Sequence, residues 1–256
     1  MSLHREGRQI VLTVAYDGTD FYGFQRQSGT GLPTIQASLE DAIYRLSGER
    51  VTIEGSGRTD TGVHAWGQVV HFYSTSSIPP QRWFLALASY LPDSIIIRES
   101  KEGTPGFHAR FSALEKTYLY QYYLSPTPSP FYRRYAYHVP YHLDVAAMQN
   151  AAHLFEGSHD FQAFCAAGAK VNSYVREIYA CFLEEDGLLL KLTIRGNGFL
   201  WNMVRIIAGT LLEVGSGKRR VQDIPVLIGL GDRTQTGVTL PPQGLILHEV
   251  KYPLPY

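Results

Sequence analysis

Gln9-Ile10-Val11-Leu12-Thr13-Val14-Ala15-Tyr16, followed after a glycine-bearing connection by Thr34-Ile35-Gln36-Ala37-Ser38-Leu39-Glu40-Asp41-Ala42-Ile43-Tyr44-Arg45-Leu46-Ser47-Gly48, is the stretch on which the fold turns. The first run is rich in Val, Ile and Thr and reads as a strand. In the second, the apolar positions change to helical spacing at Ile35, Leu39, Ala42, Ile43 and Leu46. Thr34 supplies an N-cap and Gly48 a stop. Working outward, Val51–Ser56 and Gly67–Tyr73 read as strands. Pro79-Pro80 opens a helix to about Tyr90, and Ser94–Glu99 is a further strand. The order is β-α-β-β-α-β.

The second half repeats that order without obvious sequence identity. Thr117–Leu124 is a tyrosine-rich strand, followed by an excursion carrying Pro126, Pro128 and Pro130. Asp144 caps a helix to about Phe155. Val175–Leu183 and Leu188–Arg195 form a hairpin turned at Glu184-Glu185-Asp186-Gly187. Helices over Trp201–Val214 and Val221–Leu230 and a strand over Gly244–Val250 complete it. The expectation is an α+β protein of two ferredoxin-like (RRM-like) halves, residues 1–110 and 111–256, with largely antiparallel sheets. A cleft between two such halves is the natural place for a catalytic site.

Composition removes several classes. With 45% apolar and 18% charged residues the chain is neither a disordered tail nor a charge-patterned coiled coil. Basic and acidic residues balance at 23 each, with 17 Arg to 6 Lys, so net charge names no partner. Cys165 and Cys181 are the only cysteines; a chain of this size needs no disulfide staples, and no metal site is assigned. The His138/His142 spacing does not alter that, because Pro140 breaks the helix that would align them. The opening Met-Ser-Leu-His-Arg-Glu lacks the apolar core of a leader. Phe199–Gly215, the longest candidate for a membrane span, is interrupted by Asn202, Arg205 and Glu213. A soluble, cytoplasmic protein is expected.

The most unusual segment is Gly55-Ser56-Gly57-Arg58-Thr59-Asp60-Thr61-Gly62-Val63-His64-Ala65, between two predicted strands. A phosphate-binding loop is excluded, because neither the Lys-Ser/Thr nor the following helix is present. Gly215-Ser216-Gly217-Lys218 fails similarly, ending a helix and running on to Arg219. Asp60-Thr61-Gly62 spells the aspartic-peptidase triplet, but it occurs once, and Arg58 favours full ionisation over proton sharing. Two readings remain. The segment is a long hairpin loop whose Asp60 caps its own backbone, or Asp60 is a nucleophile or base held ionised by an arginine. Arg205, set in an apolar helix, is a candidate partner besides Arg58; otherwise it reaches solvent or pairs with Glu213.

Tyr118, Tyr120, Tyr122 and Tyr123 crowd one strand beside Phe107 and Phe111. Core packing accounts for most of them, while aromatics on a sheet also stack nucleobases in RNA-binding modules of this topology. From Leu188 to Gln222 there are six basic side chains, Lys191, Arg195, Arg205, Lys218, Arg219 and Arg220, against Glu213 alone. Such a patch suits phosphate.

Taken in order, these residues resemble the TruA-type tRNA pseudouridine synthases from end to end. The likeness is carried by Tyr16-Asp17-Gly18-Thr19-Asp20-Phe21-Tyr22-Gly23-Phe24-Gln25, by Gly57–Ala65 with Gly67-Gln68-Val69, and by Phe107-His108-Ala109-Arg110-Phe111-Ser112-Ala113 with Lys116, Tyr118 and Tyr120. Gly157, His159-Asp160-Phe161, Phe199–Arg205 and Pro241-Pro242-Gln243-Gly244-Leu245 extend it. Phe24 stands where Trp is expected, Leu240 where Ala is, and Ala166-Ala167-Gly168-Ala169 lacks the usual polar and cysteine residues.

The resemblance implies an isomerase that converts uridine to pseudouridine at positions 38, 39 and 40 of the tRNA anticodon stem-loop, as a homodimer without a cofactor. It makes Asp60 the catalytic aspartate, Tyr118 the tyrosine that stacks on the target base, and Arg205 the partner of the aspartate. Arg58 is implied to help flip the nucleotide, and Leu245 to line the cleft. A non-catalytic RNA-binding module is the alternative; it accounts for the aromatics and the basic patch but not for an ionised aspartate in a glycine-rich turn.

Overall fold

Strand β1 (Arg8–Tyr16) is buried along almost its whole length because both of its edges are occupied. It pairs antiparallel with β3 (His64–Ser74) on one side and with β4 (Ile95–Glu102) on the other. The structure is a computed structural model and describes residues 7–27, 31–169 and 171–253. The first six residues, on which the absence of a leader was expected, lie outside the described residues.

The chain divides into two compact units, Met1–Leu114 with Leu247–Tyr256, and Glu115–Ile246. In the first, α1 (Ile35–Ser47) follows the predicted caps. Thr34 Oγ1 accepts from the Ala37 N–H at 3.2 Å, and Gly48 is left-handed with its N–H on the Tyr44 carbonyl. Ile35, Leu39, Ala42 and Ile43 are the buried face. The predicted strand over Val51–Ser56 shrinks to β2 (Glu54–Gly55), which pairs with β3. The helix predicted from Pro80 to Tyr90 is broken. Only α2 (Trp83–Leu87) is α-helical, between two 3-10 turns, and the Phe84 N–H donates to Ser100 Oγ rather than up a helix. The strand order of this unit is β4-β1-β3-β10, where β10 is Leu245–Lys251 and contributes its residues 247–251 to this unit.

The second unit carries β5 (Glu115–Leu124), β9 (Leu189–Gly196), β8 (Val175–Asp186) and β7 (Gly157–Asp160) side by side in that order, all antiparallel. A short strand β6 (Tyr137–Val139) joins β5 in parallel. Neither β6 nor β7 is predicted. The β8–β9 turn sits further along than the acidic run suggested. Asp186 pairs with Leu189, and Gly187 takes φ +61°, leaving a two-residue turn. Gly is the one residue of Glu184–Gly187 that adopts this conformation at no steric cost. Helices α3 (Val145–His153), α4 (Met203–Gly215) and α5 (Asp223–Leu230) complete the unit. Asp144 caps α3 as predicted, accepting from the Ala147 N–H at 2.8 Å. Helix α4 begins two residues later than predicted, because Asn202 is left-handed at φ 60°. Among the described residues no helix is long and apolar enough to cross a membrane.

Candidate active site

Asp60 lies half-buried on the connection between β2 and β3, and neighbouring groups fix the backbone around it. Before it, Ser56 and Gln68 are both fully buried and bonded at 2.5 Å, and Gln68 Nε2 donates to the Gly57 carbonyl at 2.9 Å. Thr59 is anchored twice: its hydroxyl meets the Tyr16 hydroxyl at 2.7 Å, and its carbonyl accepts from the Phe24 N–H at 3.0 Å. After it, the Val63 N–H donates to the Asp60 carbonyl at 3.1 Å, closing a turn in which Gly62 takes φ +76°. The turn therefore closes through the backbone of Asp60. His64 follows on β3, buried, with Nδ1 accepting from the Gly18 N–H and lying 3.2 Å from Asp17 Oδ1.

The segment Tyr16–Phe24 is what holds this loop. Gly23 is left-handed (φ +74°), and a Cβ there would come within 2.7 Å of the Thr59 carbonyl oxygen. The Gly23 and Phe24 carbonyls also accept the first two N–H groups of α1, at 3.2 and 2.9 Å. These helix-end donors have no partner within the helix itself. The Phe24 ring occupies the space where a Cβ of Gly55 would stand, 2.6 Å away, so the phenyl substitution still packs on the loop. Arg58 is exposed at the surface of the same loop.

Tyr118, Arg205 and Leu245 belong to the second unit. Tyr118 projects from β5, opposite Ile194, with its ring edge-on to Phe199 at 5.1 Å. Leu245 opens β10 and is buried. Arg205 sits in the first turn of α4, its Nε donating to the Leu240 carbonyl at 2.6 Å and its Nη1 to Asn202 Oδ1 at 2.8 Å. Leu240 returns a backbone N–H to the Arg205 carbonyl, so both bonds use the backbone of residue 240 and tolerate Leu where Ala is expected. Glu213 is not the partner of Arg205: Arg219 takes it through two bonds of 2.9 and 2.7 Å. Burial pushes the neighbouring Tyr120 hydroxyl far up in pKa, against the pull of the Arg205 charge. That hydroxyl donates to the Pro241 carbonyl at 2.9 Å.

The basic window is more neutral than its sequence suggests. Lys191 meets Asp186, Arg195 meets Glu115, and Arg220 meets Asp223, all with carboxylates from outside Leu188–Gln222.

Three ligand-type side chains, Glu54, His71 and His108, bring one donor atom each within 4.8 Å of one another. Their hydrogen bonds do not suit a metal. His71 Nδ1 accepts the Ala109 N–H at 3.2 Å, and His108 Nδ1 accepts those of Arg110 and Phe111 at 3.1 and 3.4 Å. A neutral ring that accepts at Nδ1 carries its proton at Nε2. His108 Nε2 accordingly meets Glu54 Oε2 at 2.7 Å. The set is an imidazole–carboxylate node that fastens residues 107–112 to β2 and β3.

Sequence reasoning named Asp60, Arg58, Tyr118, Arg205 and Leu245 as candidates, but not the groups that hold the loop around Asp60: Tyr16, Gly23 and Gln68. The signal lay in the quoted motifs, whose invisible part is that these three meet one loop.

The family described as "tRNA pseudouridine synthase" matches residues 12–112 and 151–253. A protein of Syntrophomonas wolfei named tRNA pseudouridine synthase A is 51% identical over 96% of this chain and 98% of its own length. Proteins of the same name from Caldicellulosiruptor saccharolyticus and Brevibacillus brevis are 46% and 47% identical, each over 96% of this chain and 100% of their own.

Proposed function

We propose, since this chain belongs to the tRNA pseudouridine synthase family, that it isomerises uridine to pseudouridine in tRNA with Asp60 as its catalytic carboxylate. The target positions are 38, 39 and 40 of the anticodon stem-loop. Uracil leaves C1′, turns, and rejoins through C5, expelling the hydrogen that C5 carried. Detaching the base calls for a carboxylate at the sugar, as nucleophile or base. The observation that carries this reading is the Asp60 turn, anchored on one side through Thr59 and closed on the other through Val63. A carboxylate on a backbone fixed in advance needs little reorganisation at the moment of reaction.

The other roles come from the family. Tyr118 stacks on the target base, Arg205 pairs with the aspartate, Arg58 takes the place of the flipped nucleotide, and Leu245 is an apolar contact. A base inside a stem must leave its stack before chemistry, which is what an aromatic platform and a guanidinium provide. Recognition across three adjacent positions rests on shape and backbone rather than base edges. No cofactor is required by this sequence of bonds. The order β4-β1-β3 with β2 on β3 supports a ferredoxin-like reading of residues 1–110, and we read residues 111–256 as its counterpart. A cytoplasmic homodimer completes the proposal, and a monomer mass persisting at micromolar concentration would remove the dimer from it.

The test is tritium release from tRNA carrying 5-³H-uridine, comparing the parent with Asp60→Asn. Release by the parent alone is expected. Release by both would move the catalytic group elsewhere, and release by neither, with tRNA still bound, would leave a binding module.

A further inference from the structure

Phe111 is 77% exposed, yet it stands on a loop of the first unit whose backbone is tied by side chains. The backbone N–H groups of Ala109, Arg110 and Phe111 are all taken by imidazole nitrogens of His71 and His108, and the Ala109 carbonyl accepts from the Tyr252 hydroxyl at 2.6 Å. The Phe111 ring leans against the His108 ring, with centroids 4.3 Å apart and planes 38° from parallel. Arg110, also exposed, holds its guanidinium carbon 5.7 Å from the centre of the Phe111 ring. A large apolar side chain exposed to water on a hydrogen-bonded loop, beside a cation, is not explained by the packing of its own unit.

We infer that Arg110 and Phe111 form a second contact for the tRNA substrate: Phe111 stacks on an unpaired base and Arg110 takes an adjacent phosphate. The inference rests on the proposed activity for the identity of the nucleic acid, but not on the role of Asp60. Three features select this occupant. The ring already has an aromatic backing in His108, so an added base extends a stack. The charge offered beside it is positive, complementary to phosphate. The loop is ordered before binding, so contact with a base costs little further entropy. Because Phe111 stacks on any base, the contact adds affinity without sequence preference, which fits an enzyme serving several adjacent positions.

Binding of unmodified tRNA, followed by fluorescence anisotropy at several salt concentrations, tests this with Phe111→Ala, Phe111→Trp and Arg110→Ala. Phe111→Ala is expected to weaken binding about tenfold with the salt slope kept. Phe111→Trp should hold the parent affinity, and its added indole emission should be quenched by tRNA. Arg110→Ala should lower the salt slope by about one. In tritium release the Phe111→Ala loss should fall on KM rather than kcat. Thermal melts serve as the folding control, since an exposed ring contributes little to the core. Unchanged affinity in both alanine variants overturns the inference. So does a Phe111→Ala change from dimer to monomer mass with tRNA affinity per protomer kept, which would make this a protein–protein surface. Retained tritium release by Asp60→Asn would defeat the catalytic assignment while leaving these binding results intact.

Discussion

Tyr16 brings its hydroxyl into the interior at the end of β1, where Thr59 meets it at 2.7 Å. Burial raises its pKa far above the ordinary phenol value, against the lowering influence of hydrogen bonds with Thr59 and Gln68, so the group stays neutral and able to donate. Its task is to hold the residue before Asp60. Tyr16→Phe leaves the buried Thr59 hydroxyl short of this bond and should lower stability by about 1 kcal/mol. It should also reduce turnover with tRNA affinity kept, which thermal melts and tritium release together would show. A result in which melting falls but turnover does not would separate the bond from catalysis. At this scale the sequence was partly legible. Arg58 and Asp60 stand out because an Arg-x-Asp between glycines is unusual, whereas a tyrosine ending an apolar strand looks like any core residue. Its hydroxyl partner lies 43 positions away in sequence. Arg205 was legible as a costly charge in an apolar helix, but its bonds to Asn202 and Leu240 depend on a left-handed Asn that no periodicity announces.

Elements were legible where local chemistry and packing agree. Helix α1 has a cap, a stop and one apolar face, and each is found as expected. Thr34→Ala should cost about 1 kcal/mol of stability, with Thr34→Ser close to the parent in a denaturant titration. The carbonyls of Gly23 and Phe24 receive the first N–H groups of this helix, so fraying its start should also disturb the Asp60 loop. Elements were illegible where packing decides alone. Strand β7 spells Gly-Ser-His-Asp, which no strand propensity favours, and it exists because β8 offers it an antiparallel edge. Strand β6 is three residues long and follows a proline-rich excursion. Helix α2 fails in the opposite sense: its apolar residues suggest a longer helix, but a serine hydroxyl on β4 captures the N–H of Phe84.

At the scale of the whole molecule, the first unit is assembled from both ends of the chain. Leu114 donates its N–H to the Lys251 carbonyl, and Tyr252 packs its ring 5.0 Å from Phe107 while bonding the Ala109 carbonyl. A chain ended at Val250 should lose these contacts. Hydrogen exchange should then accelerate in β1, β3 and the 107–112 loop while β8 and β9 keep their protection. Equal acceleration in both units would show that they unfold together. The same arrangement sets a schedule for biosynthesis. At translation speeds of roughly 5–20 residues per second, residues 7–114 leave the ribosome well before β10. For that interval β3 lacks a neighbour that the finished unit gives it, and the loop with Asp60 is attached to an incomplete sheet. A nascent chain can thus carry the whole Gly57–Ala65 loop while the sheet that holds it still lacks its last strand.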